Sequence, residues 1–405
     1  MARSDIPFLL DQVRQAVDSP ANRARYELWP TKIEPPARGD FGPFYYWFPT
    51  PVNRDGRVPY TLELEPALWR RIFDVDLQQF FTDPATYLEY WLRFALYRFE
   101  HFACDVPLTR AIDIDFCSVF VPTLFGVEAI YAADEAPWIG TDPVWVTEAD
   151  FARARLPDFY ESGLSPLAHR FYAEIRALVG DDFTVHFVPW RKGPFSLLTH
   201  LRGYGQLLYD LYDRPAFVHE MMAFVVEAQK EWYAERRAFT GEARFGPIYL
   251  GNDEVSAPSI SPAVYEEFIL PYETELSLYF GGIDYWHSCG NTTPLAPYIA
   301  RLPNVHMFDA GPWTDLRAAV AAYKKCPGAS IMRRINPIEH VLKATDEEMR
   351  APLREVREVC SGVIPVMVMY DGLNYMADWE ADLQRIYALD RACHEILHYK
   401  EPSDG

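Results

Sequence analysis

From Asp83 onward, short β-rich runs alternate with longer segments of helical periodicity. Seven runs predict strands: 110–116, 183–190, 247–253, 283–289, 305–311, 329–336 and 363–372. Helical patterns cover 83–103, 165–179, 214–238, 261–280 and 345–359. Strands that alternate with helices predict parallel βαβ units. About seven such units in roughly 300 residues favour an α/β fold of the (β/α)8 TIM-barrel type.

Two other α/β folds lack their sequence fingerprints. No GxGxxG follows the first strand, and no GxxxxGK[ST] occurs anywhere in the chain. Both motifs bind phosphates through glycine-rich turns. Dinucleotide-binding and P-loop folds are therefore disfavoured.

The first 80 residues differ in character from the rest. They are rich in proline and aromatic residues, as in FGPFYYWFPTP (41–51), and their periodicity is weak. We expect residues 1–80 to form an N-terminal extension packed on a barrel that spans 81–405. The first residues, MARSDIPFLLDQVRQAV, predict a short amphipathic helix and lack the apolar core of a signal peptide.

Charge and cysteine usage limit the partners and the location. A formal charge of -20 and a pI near 4.9 argue against nucleic acid or an anionic membrane as the partner. No run of eighteen apolar residues predicts a membrane span. The six cysteines are scattered without a CxxC motif, which is typical of a reducing cytoplasm. We expect a cytoplasmic protein with a small-molecule substrate, and a homodimer is one arrangement that the sequence leaves open.

Polar residues gather where the predicted strands end. In a TIM barrel the C-terminal ends of the strands form the rim that carries the chemistry. We therefore expect these residues to share one mouth: Asn252, Asp253, Glu254, His287, Cys289, Asp309, Arg333, Arg334, Asn336, Tyr370 and Asp371.

The segment YWHSCGNTTP (285–294) holds an imidazole and a thiol two positions apart. Residues i and i+2 of a strand point to the same side, so His287 and Cys289 can converge. Such a pair can hold a metal, share a proton or pack. A catalytic zinc site takes three protein ligands and keeps one open position, so a third ligand is needed. The candidates by strand position are Asp371 and, earlier in the chain, Asp253 or Glu254.

Each of these features also has a purely structural interpretation. The Arg333–Arg334 pair suits an anionic substrate group or surface ion pairs. The Asn252-Asp253-Glu254 run suits catalysis or the capping of a loop. The other five cysteines suit packing. No GxSxG or HExxH motif supports hydrolase chemistry of those types.

Several ordered blocks resemble the uroporphyrinogen decarboxylase (URO-D) superfamily. They are GVEAIYAADEAPWI (126–139), GPFSLLTHLRG (193–203), YDLYDRPAFVHEMM (209–222), and SPAVYEEFILPYETEL (261–276) running into WHSCGNTTPL (286–295). The resemblance implies a (β/α)8 barrel over roughly 105–380. True uroporphyrinogen decarboxylases carry an arginine-rich RQAGRYLPEYR-like motif near the N-terminus, and nothing similar occurs here.

The other branch of the superfamily contains the corrinoid-linked and thiol methyltransferases. That branch carries a zinc-binding His-x-Cys and a late Cys-Gly at a strand end. His287 and Cys289 match the first motif, but Asp371 stands before Gly372 where the branch has cysteine. A carboxylate makes the metal harder, which implies weaker zinc binding, another divalent metal or a lost site.

The leading hypothesis is a zinc-dependent methyltransferase that moves a methyl group between a small methylated substrate and a thiol or corrinoid carrier. The resemblance implies His287, Cys289 and Asp371 as metal ligands, with the corrinoid held by a partner protein. Asp253, Glu254 and Tyr370 are the expected catalytic residues, and Arg333, Arg334 and Asn336 the expected substrate-binding residues. Two alternatives are a metal-free decarboxylase or lyase for a carboxylated substrate, and a corrinoid- or tetrapyrrole-binding module without turnover.

Overall fold

The computed structural model describes residues 5–26, 56–242 and 245–398. The aromatic stretch 41–51 lies outside these residues. The strands are β1 (Tyr60–Leu64), β2 (Ala111–Asp113), β3 (Ala129–Ile130), β4 (Trp138–Ile139), β5 (Thr184–His186), β6 (Ile248–Gly251), β7 (Ile283–His287), β8 (Val305–Ala310), β9 (Ser330–Arg334) and β10 (Val366–Leu373). Each of the seven predicted strand regions therefore contains a strand.

The helices fill the intervals between the strands. They are α1 (Ile6–Val17), α2 (Pro20–Tyr26), α3 (Pro66–Phe73), α4 (Leu77–Thr82), α5 (Pro84–His101), α6 (Phe120–Leu124), α7 (Glu148–Ala152), α8 (Ser165–Val179), α9 (Pro194–Leu198), α10 (Tyr204–Asp213), α11 (Pro215–Thr240), α12 (Pro262–Val264), α13 (Leu270–Phe280), α14 (Ala296–Ile299), α15 (Leu316–Tyr323), α16 (Asp346–Cys360) and α17 (Trp379–Leu397). Ser261 caps α12 by accepting a hydrogen bond from the Val264 backbone N–H, with Pro262 at the first helical position. None of the helices in the described ranges is long and apolar enough to cross a membrane.

The main sheet has six strands in the order β1-β10-β9-β8-β7-β6, and every neighbouring pair is parallel. A second parallel pair, β2-β5, stands beside it, and β3 and β4 form a small antiparallel hairpin. The parallel order agrees with the βαβ units that the sequence predicts. It also brings the C-terminal ends of β6 to β10 to one edge.

The predicted closure into a (β/α)8 barrel is not observed among the described residues. Between β5 and β6 the ladder is reduced to a single parallel bridge, Lys192 with Gly251. On the other side, one backbone bond from the Asp105 N–H to the Tyr60 carbonyl links β1 to the segment before β2. Pro107 and Pro189 lie in these two connecting segments, and proline has no N–H to donate to a ladder. The sheet is thus an open, TIM-like half-barrel with the β2-β5 pair at its gap.

Residues before position 81 contribute to this architecture in two ways. β1 pairs with β10 and is buried along its whole length. α1 packs against α5 through a buried apolar face of Ile6, Leu9, Leu10 and Val13. The described part of segment 1–80 therefore supplies both a strand of the sheet and a helix that covers α5.

Candidate metal centre and active-site cavity

Three donor side chains meet at the C-terminal ends of β6 and β7. His287 ends β7, Cys289 follows two residues later, and Asp253 follows β6. His287 Nε2 lies 2.9 Å from Asp253 Oδ1, and Cys289 Sγ lies 3.3 Å from the same oxygen. The sulfur and Nε2 are 3.4 Å apart. One nitrogen, one sulfur and one oxygen donor thus face a single point. We call Asp253, His287 and Cys289 the donor triad.

A buried carboxylate stands behind the imidazole. Asp309 Oδ2, on β8, lies 2.6 Å from His287 Nδ1, and Asp309 is 1% exposed. This carboxylate can hold a proton on Nδ1. Loss of the proton on Nε2, which lies against Asp253, would then leave the Nε2 lone pair directed at the triad. Histidines that bind metals commonly have a carboxylate in this position. The sequence places Asp309 at a strand end, but its role behind His287 depends on the pairing of β7 with β8.

Lys192 fixes the carboxylate of the triad. Its Nζ lies 2.9 Å from Asp253 Oδ2, and the lysine is buried. Burial acts to raise the pKa of Asp253, but Lys192 and then His287 outweigh it and hold that pKa well below its usual range. Lys192 therefore occupies one oxygen of an ionised Asp253, while the other oxygen faces His287 and Cys289.

Arg334 connects the triad to Asp371. Its Nη1 lies 3.1 Å from His287 Nε2, 3.6 Å from Cys289 Sγ and 3.4 Å from Asp309 Oδ2. Its Nη2 forms an ion pair with Asp371 on β10. Asp371 thus forms an ion pair with Arg334, whereas Asp253 lies beside the imidazole of His287 and the thiol of Cys289. Asp371 as a third ligand stays a prediction from the family resemblance.

The remaining predicted residues lie in different places. Glu254 borders the cavity at the triad, with its Oε1 3.2 Å from His200 Nε2. Arg333 donates from Nη1 to the backbone carbonyls of Ala310, Gly311 and Thr314. Neighbouring residues of a strand face opposite sides, so Arg333 and Arg334 cannot act as one clamp.

Asn336 and Tyr370 do not border the cavity formed by the described residues. The Asn336 Oδ1 accepts the backbone N–H groups of Ile338 and Glu339 and so orders the turn after β9. Tyr370 is fully buried, and burial followed by the nearby Cys393 raises its pKa well above the usual value. Their catalytic and binding roles stay predictions from the sequence.

A cavity of about 330 Å³ opens in front of the triad. Besides the residues described above, its walls include Glu65, Asp115, Cys117, Phe120, Trp138, Arg191, His200 and Tyr249. The sequence analysis predicted none of these eight as site residues, although two signals were present. Arg191 and Lys192 follow the predicted strand 183–190 directly, and Glu65 directly follows the strand β1 at the end of the proline-rich segment.

A buried glutamate ties the two strand ends of the triad together. Glu273 on α13 accepts hydrogen bonds from Asn252 Nδ2 at 2.7 Å, Tyr265 Oη at 2.7 Å and Trp286 Nε1 at 2.9 Å. Asn252 and Trp286 directly precede Asp253 and His287 in the chain. Burial raises the pKa of Glu273 to about 7, although its hydrogen bonds act in the opposite direction.

This raised pKa predicts a pH-dependent stability. A carboxyl group with a pKa of about 7 when folded and 4.5 as a model value binds a proton more tightly in the folded state. The contribution of Glu273 to the free energy of unfolding therefore falls as pH rises from 4.5 through 7, by on the order of 2 kcal/mol between about pH 5.5 and pH 8. Glu273→Gln should lack this loss, so urea unfolding should show the variant gaining on the wild type as pH rises.

Glu220→Gln provides the matched control, because Glu220 is exposed on α11. It should follow the wild-type pH curve. Parallel curves for the wild type and Glu273→Gln would show that Glu273 carries no such linkage.

The comparisons with known proteins agree with this architecture. The profile of the family described as uroporphyrinogen decarboxylase (URO-D) matches residues 106–364, which is more than half of the chain. Among the solved structures, a methyltransferase from Methanosarcina mazei is similar in fold, with a TM-score of 0.62 and 16% identity. The similarity covers 84% of this chain and 94% of that chain. No curated protein matches the sequence. The chain belongs to the uroporphyrinogen decarboxylase family.

Proposed function

We propose that this member of the family is a metal-dependent methyltransferase that moves a methyl group between a small methylated substrate and a thiol or corrinoid carrier. The observation that carries the proposal is the donor triad with Asp309 behind its imidazole. The similarity in fold to the Methanosarcina mazei protein named as a methyltransferase supports it.

The donor triad fits zinc by chemistry and by spacing. Zinc binds thiolate, imidazole and carboxylate donors at about 2.0–2.3 Å. Tetrahedral geometry then places neighbouring donors about 3.3–3.7 Å apart. The observed separations of 2.9, 3.3 and 3.4 Å come close to this range, so the donors need only small side-chain shifts. Arg334 Nη1, which lies 3.1 Å from Nε2 and 3.6 Å from Sγ, would also have to withdraw when zinc binds. Three protein ligands also match the number in catalytic zinc sites.

A bound zinc ion would supply Lewis acidity that lowers the pKa of an incoming thiol, so that a thiolate forms near neutral pH. The chain's own residues prepare this site. Asp309 fixes the imidazole tautomer, and Lys192 keeps Asp253 ionised and oriented. Glu254, which lies next to His200 at the cavity wall, is the carboxylate that we assign to accept the proton of the incoming thiol.

A second candidate is the metal-free lyase, and one contact favours it. Arg334 Nη1 already lies close to two donor atoms, Nε2 at 3.1 Å and Sγ at 3.6 Å, so a protein cation is available there. Arg334 could then receive a substrate carboxylate. Against this candidate, the Arg333 guanidinium donates hydrogen bonds to three backbone carbonyl groups, so it does not provide a second cation for a substrate carboxylate.

Elemental analysis and a transfer assay decide between the two candidates. We expect about one equivalent of zinc in protein purified without chelators, and methyl transfer from methylcobalamin to 2-mercaptoethanol that a strong chelator abolishes and added zinc restores. Metal-free protein that releases CO₂ from polycarboxylates and transfers no methyl group would favour the lyase instead, whereas full methyl transfer by metal-free protein would refute the metal dependence.

A further inference from the structure

The cavity in front of the triad contains more negative than positive groups. Its walls carry five carboxylates and three permanent cations: Glu65, Asp115, Asp253, Glu254 and Asp371 against Arg191, Lys192 and Arg334. Charged groups in a closed site need partners, because burial without one is costly. The pairing of each carboxylate therefore indicates what the cavity lacks.

Each cation has a carboxylate partner of its own. Arg191 lies 2.9 Å from Asp115, Lys192 lies 2.9 Å from Asp253, and Arg334 pairs with Asp371. Glu254 lies 3.2 Å from His200 and 3.9 Å from Lys192. Four of the five carboxylates are thus accounted for by groups of the protein.

Glu65 is the exception. Within the described part of the chain, its carboxylate has no hydrogen bond and no ion pair, although its backbone N–H donates to Leu373 and α3 begins directly after it. The carboxylate does not cap that helix. Arg334, which acts on it electrostatically, is committed to Asp371. Burial raises the pKa of the Glu65 carboxyl, and Arg334, which is shared with Asp371, acts in the opposite direction. Among the described residues Glu65 is therefore the cavity carboxyl group without a direct partner, and a bound cation would favour its ionised form.

Aromatic side chains contribute to the walls of the same cavity. Phe120, Trp138 and Tyr249 border the same cavity, and Trp138, on the β3–β4 hairpin, is 65% exposed. Aromatic faces attract alkylated cations, most strongly where water is excluded. A volume of about 330 Å³ is at the lower end for a ligand pocket, which restricts the occupant to a small molecule.

We propose that the cavity binds a small methylated ammonium ion, with Glu65 as its counter-charge and the aromatic walls around its methyl groups. This inference rests on the proposed function and identifies the methyl donor, which the proposed function does not specify. Transfer from such a cation to a thiolate would break a C–N bond and form a C–S bond. The electron pair of the C–N bond would stay on nitrogen, so that a neutral amine leaves without needing a proton.

Calorimetric titration with choline and with its uncharged isostere 3,3-dimethyl-1-butanol tests the proposal. We expect the wild type to bind choline at least about 10-fold more tightly than the alcohol, since only the cation gains Coulombic attraction to Glu65 and cation–π contact with the aromatic walls. Glu65→Gln should lose this preference while binding the alcohol as before. Glu220→Gln, on the exposed face of α11, should behave as the wild type.

Equal binding of choline and the alcohol by the wild type, or an unchanged preference in Glu65→Gln, would overturn the proposal. Circular dichroism confirms that the variant is folded, and Glu65→Asp should keep part of the preference. Zinc content measured on the same samples separates the two levels. Protein with zinc but no choline preference refutes this inference alone, whereas choline preference without zinc refutes the proposed metal dependence alone.

Discussion

Replacement of His287 by alanine is expected to reduce bound zinc from about one equivalent to near zero and to abolish methyl transfer. The imidazole provides the nitrogen donor of the triad, and no other imidazole among the described residues lies beside Asp309 to replace it. Loss of an outer partner of a ligand typically costs 10–100-fold in metal affinity, so loss of the ligand should cost about 100-fold or more. Cys289→Ser should weaken zinc binding in the same direction, because a hydroxyl is a poorer zinc ligand than a thiolate.

The fold should survive the His287→Ala change. Asp309 would keep hydrogen bonds from the Ser288 backbone N–H at 3.3 Å and from Arg334 at 3.4 Å. His306→Ala is the matched control, since this half-exposed imidazole on β8 pairs with Asp284 away from the cavity. Zinc is measured by elemental analysis after dialysis, and folding by circular dichroism. Full zinc content and activity in His287→Ala would refute the metal site.

The fold could be predicted from the sequence to the extent that local pattern determines it. The β-rich runs and helical periodicities fix the βαβ rhythm, and the parallel order β10-β9-β8-β7-β6 follows from it. β1 was not predicted, because its five residues lie next to a proline-rich, aromatic segment in which their alternation of apolar and polar residues is hard to recognise. Closure also could not be read from the rhythm. Whether β5 pairs with β6 depends on which backbone N–H groups around Pro189 meet acceptors on β6. That is determined by the tertiary structure and not by the local sequence pattern.

The site was predictable along each strand but not between strands. The strand-end rule placed His287 and Cys289 together because the i, i+2 spacing is local. The same alternation places Arg333 and Arg334 on opposite faces of the strand. The sequence alone therefore indicates that the two arginines do not act as a pair. The partners of His287 and Asp253 are different. Asp309 and Lys192 come from other strands and segments, and only the register of the folded sheet brings them within hydrogen-bond distance.

The third ligand is the point at which the family resemblance and the geometry diverge, and it yields the second large effect. Asp253→Asn should lower zinc affinity by about 100-fold or more, because it removes the only anionic oxygen within the described donor triad. Asp371→Asn should change the affinity by about 10-fold at most, since the Asp371 carboxylate is engaged by Arg334 and lies outside the triad. Competition with a chromophoric zinc chelator measures both constants.

The two variants control for each other, because each makes the same isosteric change in a carboxylate that pairs with a buried cation, Lys192 or Arg334. A general effect of charge loss on the cavity would therefore weaken zinc binding equally in both variants. The reverse ranking, with Asp371→Asn the more damaging, would show that Asp371 leaves Arg334 to bind the metal, as the cysteine position of the methyltransferase branch implies. In that case Asp253 would pair with Lys192 alone, and Arg334 would have to release Asp371 as well as withdraw from His287 and Cys289 when the metal binds.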